Sequence, residues 1–176
     1  MNGWSMSSQK KKKKRARTVN SFDLTSVLAF PPDYELVLQR LPSFHWIGGN
    51  RRFSNHYAEA RAFDEDRQQW IASMLACEER GARYSDPPKL YGTIGYTVTL
   101  YSPSLNRTDE DNAQAALKTL LDLLEIPRPT KNGSVRGYLG LIQNDRQLRR
   151  LLPIMWERSH IQSTRLQFWE MADDAA

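Results

Sequence analysis

A single cysteine, Cys77, stands in 176 residues, which excludes an internal disulfide framework and any cysteine-rich zinc site, and predicts a reducing compartment. Histidine is nearly as scarce. His45, His56 and His160 are scattered along the chain, which gives no basis for an imidazole-built metal centre. No apolar run approaches the ~20 residues that cross a bilayer, and none follows the lysines near the start as a signal peptide requires. The expectation is a soluble, intracellular protein with no membrane partner. Acid, too, is missing from residues 1–20, where Lys10 to Lys14, Arg15 and Arg17 supply seven of the 25 basic residues. The rest of the chain holds 18 basic against 20 acidic residues, so the formal charge of +5 belongs to the tail. A nucleic-acid role for the body must therefore come from local arrangement and not from the overall pI.

Residues 1–19, MNGWSMSSQKKKKKRARTV, join low hydrophobicity to a block of like charge and are expected to form a disordered basic arm. Residues 20–176 have room for one domain with a real core. "FDLTSVLAFPP", 22–32, reads as a strand running into a rigid exit, and 33–55, with Pro42, Gly48, Gly49, Arg51 and Arg52, as a long loop. Ala60, Phe63, Trp70, Ile71, Met74 and Leu75 recur at helical spacing, and Gly81 is a stop, which predicts a helix over 57–80. "KLYGTIGYTVTLYS" alternates with period two and predicts a strand with one buried face. Ala113, Ala116, Leu117, Leu120, Leu121 and Leu124 make the apolar stripe of a second helix over about 109–125, ending before Pro127. A polar loop through Lys131, Asn132 and Gly133 follows. Next come a short apolar segment, a turn at Asn144 and Asp145, and two final strands joined by "SHIQST". Pro153 pushes its strand toward an edge or a bulge. The fold class is mixed α/β (α+β): a single small domain whose mixed sheet is flanked by two main helices.

The run "NRTDEDNAQAALK", 106–118, has two readings. Thr108 as N-cap with Asp111 at the third helical position is a near capping box, and negative charge there complements the helix dipole. Alternatively, Asp109 and Asp111 converge where the backbone is not yet helical and hold a hard cation. Carboxylates without imidazole or thiolate suit Mg²⁺, whose shell is commonly completed by phosphate oxygens. Asp145, in "LIQNDRQLRR", lies at a comparable break between an apolar run and a polar turn, where a turn role competes with a metal role. Arg107 flanks the first group and Arg146, Arg149 and Arg150 the second. Arginines around carboxylates hold phosphates while a metal cancels the acids' charge, and this combination points to a nuclease.

The "RTDEDN" run opening a helix, followed by "NDRQ" in a later turn, within this order of strands and helices, resembles the RusA-type Holliday-junction resolvases. The likeness spans about Val27 to Met171. It implies a RusA-like homodimer that binds four-way DNA junctions and uses Mg²⁺ to cut two strands symmetrically. Asp109 and Asp111 match the family's paired metal-binding aspartates, Asn112 the amide beside them, and Asp145 the essential acid of the second motif. On this basis Asp109, Asp111 and Asp145 are the expected catalytic metal ligands. Arg51, Arg52, Arg107, Lys118, Arg146, Arg149 and Arg150 are the expected DNA-backbone contacts. The implied compartment is the cytoplasm of a bacterial cell or a phage-infected host, nuclear only for a eukaryotic source. Two positions depart from the pattern. Asn144 stands where the family has another aspartate, and Ala115 where it has a lysine. A lysine occurs instead at Lys118, four residues before Asp122, where an i,i+4 ion pair is the competing reading. The rival functions are a branched-DNA-binding protein without catalysis and an RNA-binding protein acting through its basic arm.

Overall fold

Alternation in "YELVL" places Tyr34, Leu36 and Leu38 on one side of an extended chain, and in the computed structural model this stretch is the first strand, β1 (Tyr34–Leu38). The structure describes residues 27–43, 56–81, 86–104, 110–129 and 135–171. The chain continues through α1 (His56–Glu79), β2 (Thr93–Ser102), α2 (Glu110–Leu123), β3 (Arg128–Pro129), β4 (Val135–Arg136), a 3₁₀ turn (Asp145–Gln147), β5 (Leu148–Arg150), β6 (Met155–Arg158) and β7 (Ser163–Met171). The main sheet has five strands in the order β1-β7-β2-β5, with β6 also on β2. β7 runs antiparallel to both neighbours, and its register with β2 extends from Thr93↔Met171 to Tyr101↔Ser163. β5 and β6 lie in succession beside β2, both parallel to it. The sheet is therefore mixed, as expected. β3 and β4 form a separate two-stranded ribbon.

Both helices cover one sheet face. Leu36, Leu38, Ile94, Tyr96, Val98, Leu100, Leu166 and Phe168 meet Trp70, Met74 and Cys77 of α1 and Leu117, Leu120 and Leu123 of α2 in one buried cluster. Each fully buried aliphatic or aromatic side chain of this kind contributes about 1.5–3 kcal/mol relative to exposure. Burial raises the pKa of the Tyr96 hydroxyl, and the charge of Arg150 opposes the shift. The edge of the core holds a buried ion pair, Arg40 with Asp66, the latter 3% exposed. Arg40 also lies over the Trp70 ring, 4.8 Å from its centroid. On the opposite sheet face a smaller cluster joins Leu151, Trp169 and Met171 to Val27 and Leu28.

Three sequence expectations change. The strand assigned to 22–32 is not seen where that stretch is described: Val27 and Leu28 are helical, Pro31 and Pro32 precede the first strand, and that strand occupies part of the supposed loop. Prolines lack a ladder donor and fit the lead-in better than the interior. β2 is buried on both faces, with Thr97 at 2% and Thr99 at 4% exposure, because it runs between β7 and the β5–β6 edge. The end of the chain forms three strands, with Pro153 at the break between β5 and β6. Residues 1–19, the loop through Lys131 to Gly133, Thr108 and the side chains of Arg51, Arg52, Arg107 and Asp109 fall outside the described residues.

Candidate metal centre

Asp122 lies in the last turn of α2, and Glu125 three residues later remains on the same face. The end of this helix is closed by a distant segment. Leu123 O accepts the N–H groups of Tyr138 and Leu139, Leu124 O that of Ile142, and Glu125 O those of Tyr138 and Gly140. These bonds satisfy carbonyls that a helix end leaves without intrahelical partners. Gly137 makes the approach possible: its φ is +81°, and a Cβ there would stand 2.5 Å from Glu125 O and 2.6 Å from Ile126 O. Docking of 138–142 then delivers the following 3₁₀ turn to the same place.

The "NDRQ" run builds that turn. The Asn144 side chain accepts the Arg146 N–H at 3.0 Å, and Gln147 Oε1 accepts the N–H groups of Gln143 at 2.7 Å and Asn144 at 3.2 Å. This is a capping box, with Asn144 as N-cap. Gln147 Nε2 donates to Gly92 O at 3.0 Å, which ties the turn to the start of β2. Asn144 and Gln147 therefore have structural work, while Asp145 and Arg146 are exposed. The Asp145 N–H donates to Glu125 Oε1 at 3.0 Å.

Asp122, Glu125 and Asp145 consequently offer one carboxylate oxygen each within 4.8 Å of one another. Glu125 is fully buried, Asp122 partly so and Asp145 exposed, so the group opens to solvent on the Asp145 side. Two oxygen ligands at about 2.1 Å from Mg²⁺ stand about 3–4 Å apart, and a spread of this size closes with small side-chain rotations. All three donors are oxygens, the chemistry a hard cation prefers. Lys118 Nζ lies 3.4 Å from Asp122 Oδ1, and Arg128 Nη2 lies 2.8 Å from Glu125 Oε2. Two basic side chains thus reach the cluster, and Arg146 adjoins Asp145 in sequence.

The structure brings together only part of the expected site. Asp145 is in the cluster, but Asp111 is in the first turn of α2, eleven residues before Asp122 and about 16 Å along the helix axis. The helix begins at Glu110, so Glu110 and Asp111 place acid at its positive terminus, while Thr108, the expected N-cap, lies outside the described residues. Lys118 occupies the i,i+4 pair with Asp122 and is still at the cluster. Arg150 is turned to the other end of α2, where its Nη2 meets Glu110 Oε1 at 3.0 Å. That bond gives Arg150 an acidic partner on α2. Arg149 is exposed on β5. Asp122 and Glu125 are absent from the expected ligand set. Their one sequence signal is an i,i+3 pair of acids interrupting the leucine-rich stretch "LLDLLEIP". A groove of about 390 Å³ lies elsewhere, between Gln39 and Arg40 on one side and Gln69, Ser73 and Ala76 of α1 with Arg80 on the other, and none of the three acids lines it. No family model matches the chain, and no curated protein matches it.

Proposed function

We propose that the chain is a Mg²⁺-dependent, structure-selective endodeoxyribonuclease that cuts phosphodiester bonds at four-way DNA junctions as a homodimer, in recombination and repair. The ligands are Asp122, Glu125 and Asp145. The observation that carries this reading is the approach of carboxylates from the end of α2 and from the "NDRQ" turn to within 4.8 Å, with cationic side chains beside them. Two of the three acids replace the pair inferred from "RTDEDN", so the reading keeps the reaction class and moves the site to the other end of the helix.

A divalent ion held by Asp122, Glu125 and Asp145 would supply Lewis-acid polarisation of a phosphodiester oxygen and would lower the pKa of an attacking water. The protein's own groups do the rest. Glu125 fixes the turn that carries Asp145. Asp145 presents its carboxylate to the solvent side, where a DNA strand approaches. Arg146 and Lys118 hold phosphate oxygens and stabilise negative charge that develops on them. Each protomer cuts one strand, and the two related cuts that resolve a junction require a two-fold symmetric pair.

The test is cleavage of a synthetic four-way junction by the purified chain with and without Mg²⁺, beside Asp122→Asn, Asp145→Asn and Asp111→Asn. Cutting by the wild type, loss of at least about 100-fold in the first two variants with binding retained, and little loss in the third are expected. Binding with no cutting by any form identifies a branched-DNA-binding protein without catalysis. Loss in Asp111→Asn with activity kept in Asp122→Asn returns the metal to the start of α2.

A further inference from the structure

Arg128 is held in an unusual way for a surface arginine. Its Nη2 donates to Glu125 Oε2 at 2.8 Å, yet the Arg128 side chain is 50% exposed while the Glu125 side chain is 0% exposed. Glu125 uses its other oxygen for the Asp145 N–H. One buried carboxylate thereby fixes both the turn that bears Asp145 and a half-exposed guanidinium beside the same cluster. The backbone is constrained as well. Arg128 stands between Pro127 and Pro129, whose rings fix φ, and it pairs with Arg136 in the β3–β4 ribbon. A guanidinium carries five N–H donors in a rigid fork, and the bond to Glu125 leaves part of that fork directed to solvent. Anchoring by an acid at one side and exposure at the other suits a bidentate grip on phosphate, with little ordering entropy left to lose on binding.

We infer that Arg128 is a further phosphate-gripping residue of this site, held ready by Glu125, and that it takes a backbone phosphate next to the one being cut. The inference rests on the nuclease reading. It assigns Glu125 a positioning role toward Arg128 in addition to its place in the acidic group. Arg128 donates to a phosphate oxygen directly, whereas Glu125, beside its part in the acidic group, positions Arg128 and the turn that carries Asp145.

Junction binding is measured in Ca²⁺, and cleavage in Mg²⁺, over a range of salt concentrations. Arg128→Ala is expected to weaken binding about tenfold and to lower the slope of log affinity against log salt by about 1, the signature of one lost phosphate contact. Arg128→Lys restores the slope without restoring full cleavage, because an ammonium lacks the fork. Arg128→Gln keeps a donor for Glu125 and removes the charge, and replaces the alanine variant if that one unfolds. Glu125→Gln leaves the slope intact and lowers the cleavage rate. Arg61→Ala, which removes an exposed arginine paired with Glu65 on α1, leaves slope and rate unchanged. A wild type that cuts while both Arg128→Ala and Arg128→Gln keep its slope and rate refutes the inference alone. A wild type that does not cut removes the nuclease reading and the inference with it.

Discussion

Replacing Gly137 by alanine tests how the candidate site is assembled. At φ +81° an L side chain costs roughly 1–2 kcal/mol through its own backbone strain. The added Cβ would also meet Glu125 O at 2.5 Å, Ile126 O at 2.6 Å and Ile126 C at 2.8 Å, all backbone atoms that cannot swing aside. Relief requires the 137–139 segment to retreat from the end of α2, which breaks or stretches the bonds from Tyr138 and Leu139 to Leu123 O, 3.0 and 2.9 Å long. Two such bonds are worth about 1 kcal/mol each, so the total is about 3–4 kcal/mol. In a chain of this size that lowers Tm by about 6–16 °C. Gly81 is the internal comparison: its φ is +95°, but nothing lies within 4 Å of an added Cβ. Gly81→Ala therefore meets only the backbone strain, about 1–2 kcal/mol. Urea denaturation of both variants measures the difference, which is expected to be about 2 kcal/mol against Gly137→Ala. Divalent-metal affinity should fall in Gly137→Ala and stay level in Gly81→Ala, because only the first displaces the path to Asp145. Equal losses of stability in the two variants would falsify this account of the helix end.

Further outcomes follow from other parts of the fold. Saturating Mg²⁺ or Mn²⁺ at about 100 times its Kd should stabilise the wild type by about 2.7 kcal/mol, or ~5–10 °C in a thermal melt, with the gain lost in Asp122→Asn and Asp145→Asn. Asp66→Ala leaves the guanidinium of Arg40 buried without its carboxylate and should cost about 3–5 kcal/mol in urea unfolding. The Tyr96 hydroxyl has a raised pKa in the folded chain, mainly through burial, so its contribution to stability is intact below about pH 10 and is lost as pH rises through the folded value. Tyr96→Phe should therefore flatten the alkaline decline in stability and leave the neutral region unaffected by titration at this position. Removal of residues 1–19 should preserve junction cleavage while lowering affinity and making its salt dependence shallower, whereas loss of all nucleic-acid binding would favour an RNA-binding arm.

Much of the fold is legible because its elements carry their own periodicity. Trp70, Ile71 and Met74 mark α1, and the alanine and leucine stripe marks α2, since a helix that buries one face must repeat it. The period of β2 announces a strand, but not its central place: Thr97 and Thr99 look like a solvent face, and only the pairing with β7, β5 and β6 buries them. β1 is misplaced because the apolar run before Pro31 outweighs the five-residue "YELVL" in composition, although the latter has the cleaner alternation. The site divides in the same way. Asp145 is visible as an acid in a turn, since Asn144 and Gln147 are local turn chemistry. Asp122 and Glu125 are not visible as its partners, because their meeting depends on the docking of 138–142 against the end of α2. Asp111 draws attention by local spacing, yet helical rise carries it to the opposite end.

The closure of α2 by residues 138–142 also has a kinetic meaning. Twenty positions separate Glu125 from Asp145, and the β3–β4 ribbon spans only part of that stretch, so the carboxyl groups become neighbours only after the ribbon has formed and residues 138–142 have docked on the end of α2. A nascent or half-folded chain with α2 already formed would not yet have the Asp122, Glu125 and Asp145 carboxylates together. Any hydrolytic capacity of the protein would thus be switched on by completion of folding itself, and time-resolved refolding should show metal capture lagging behind the recovery of helical signal.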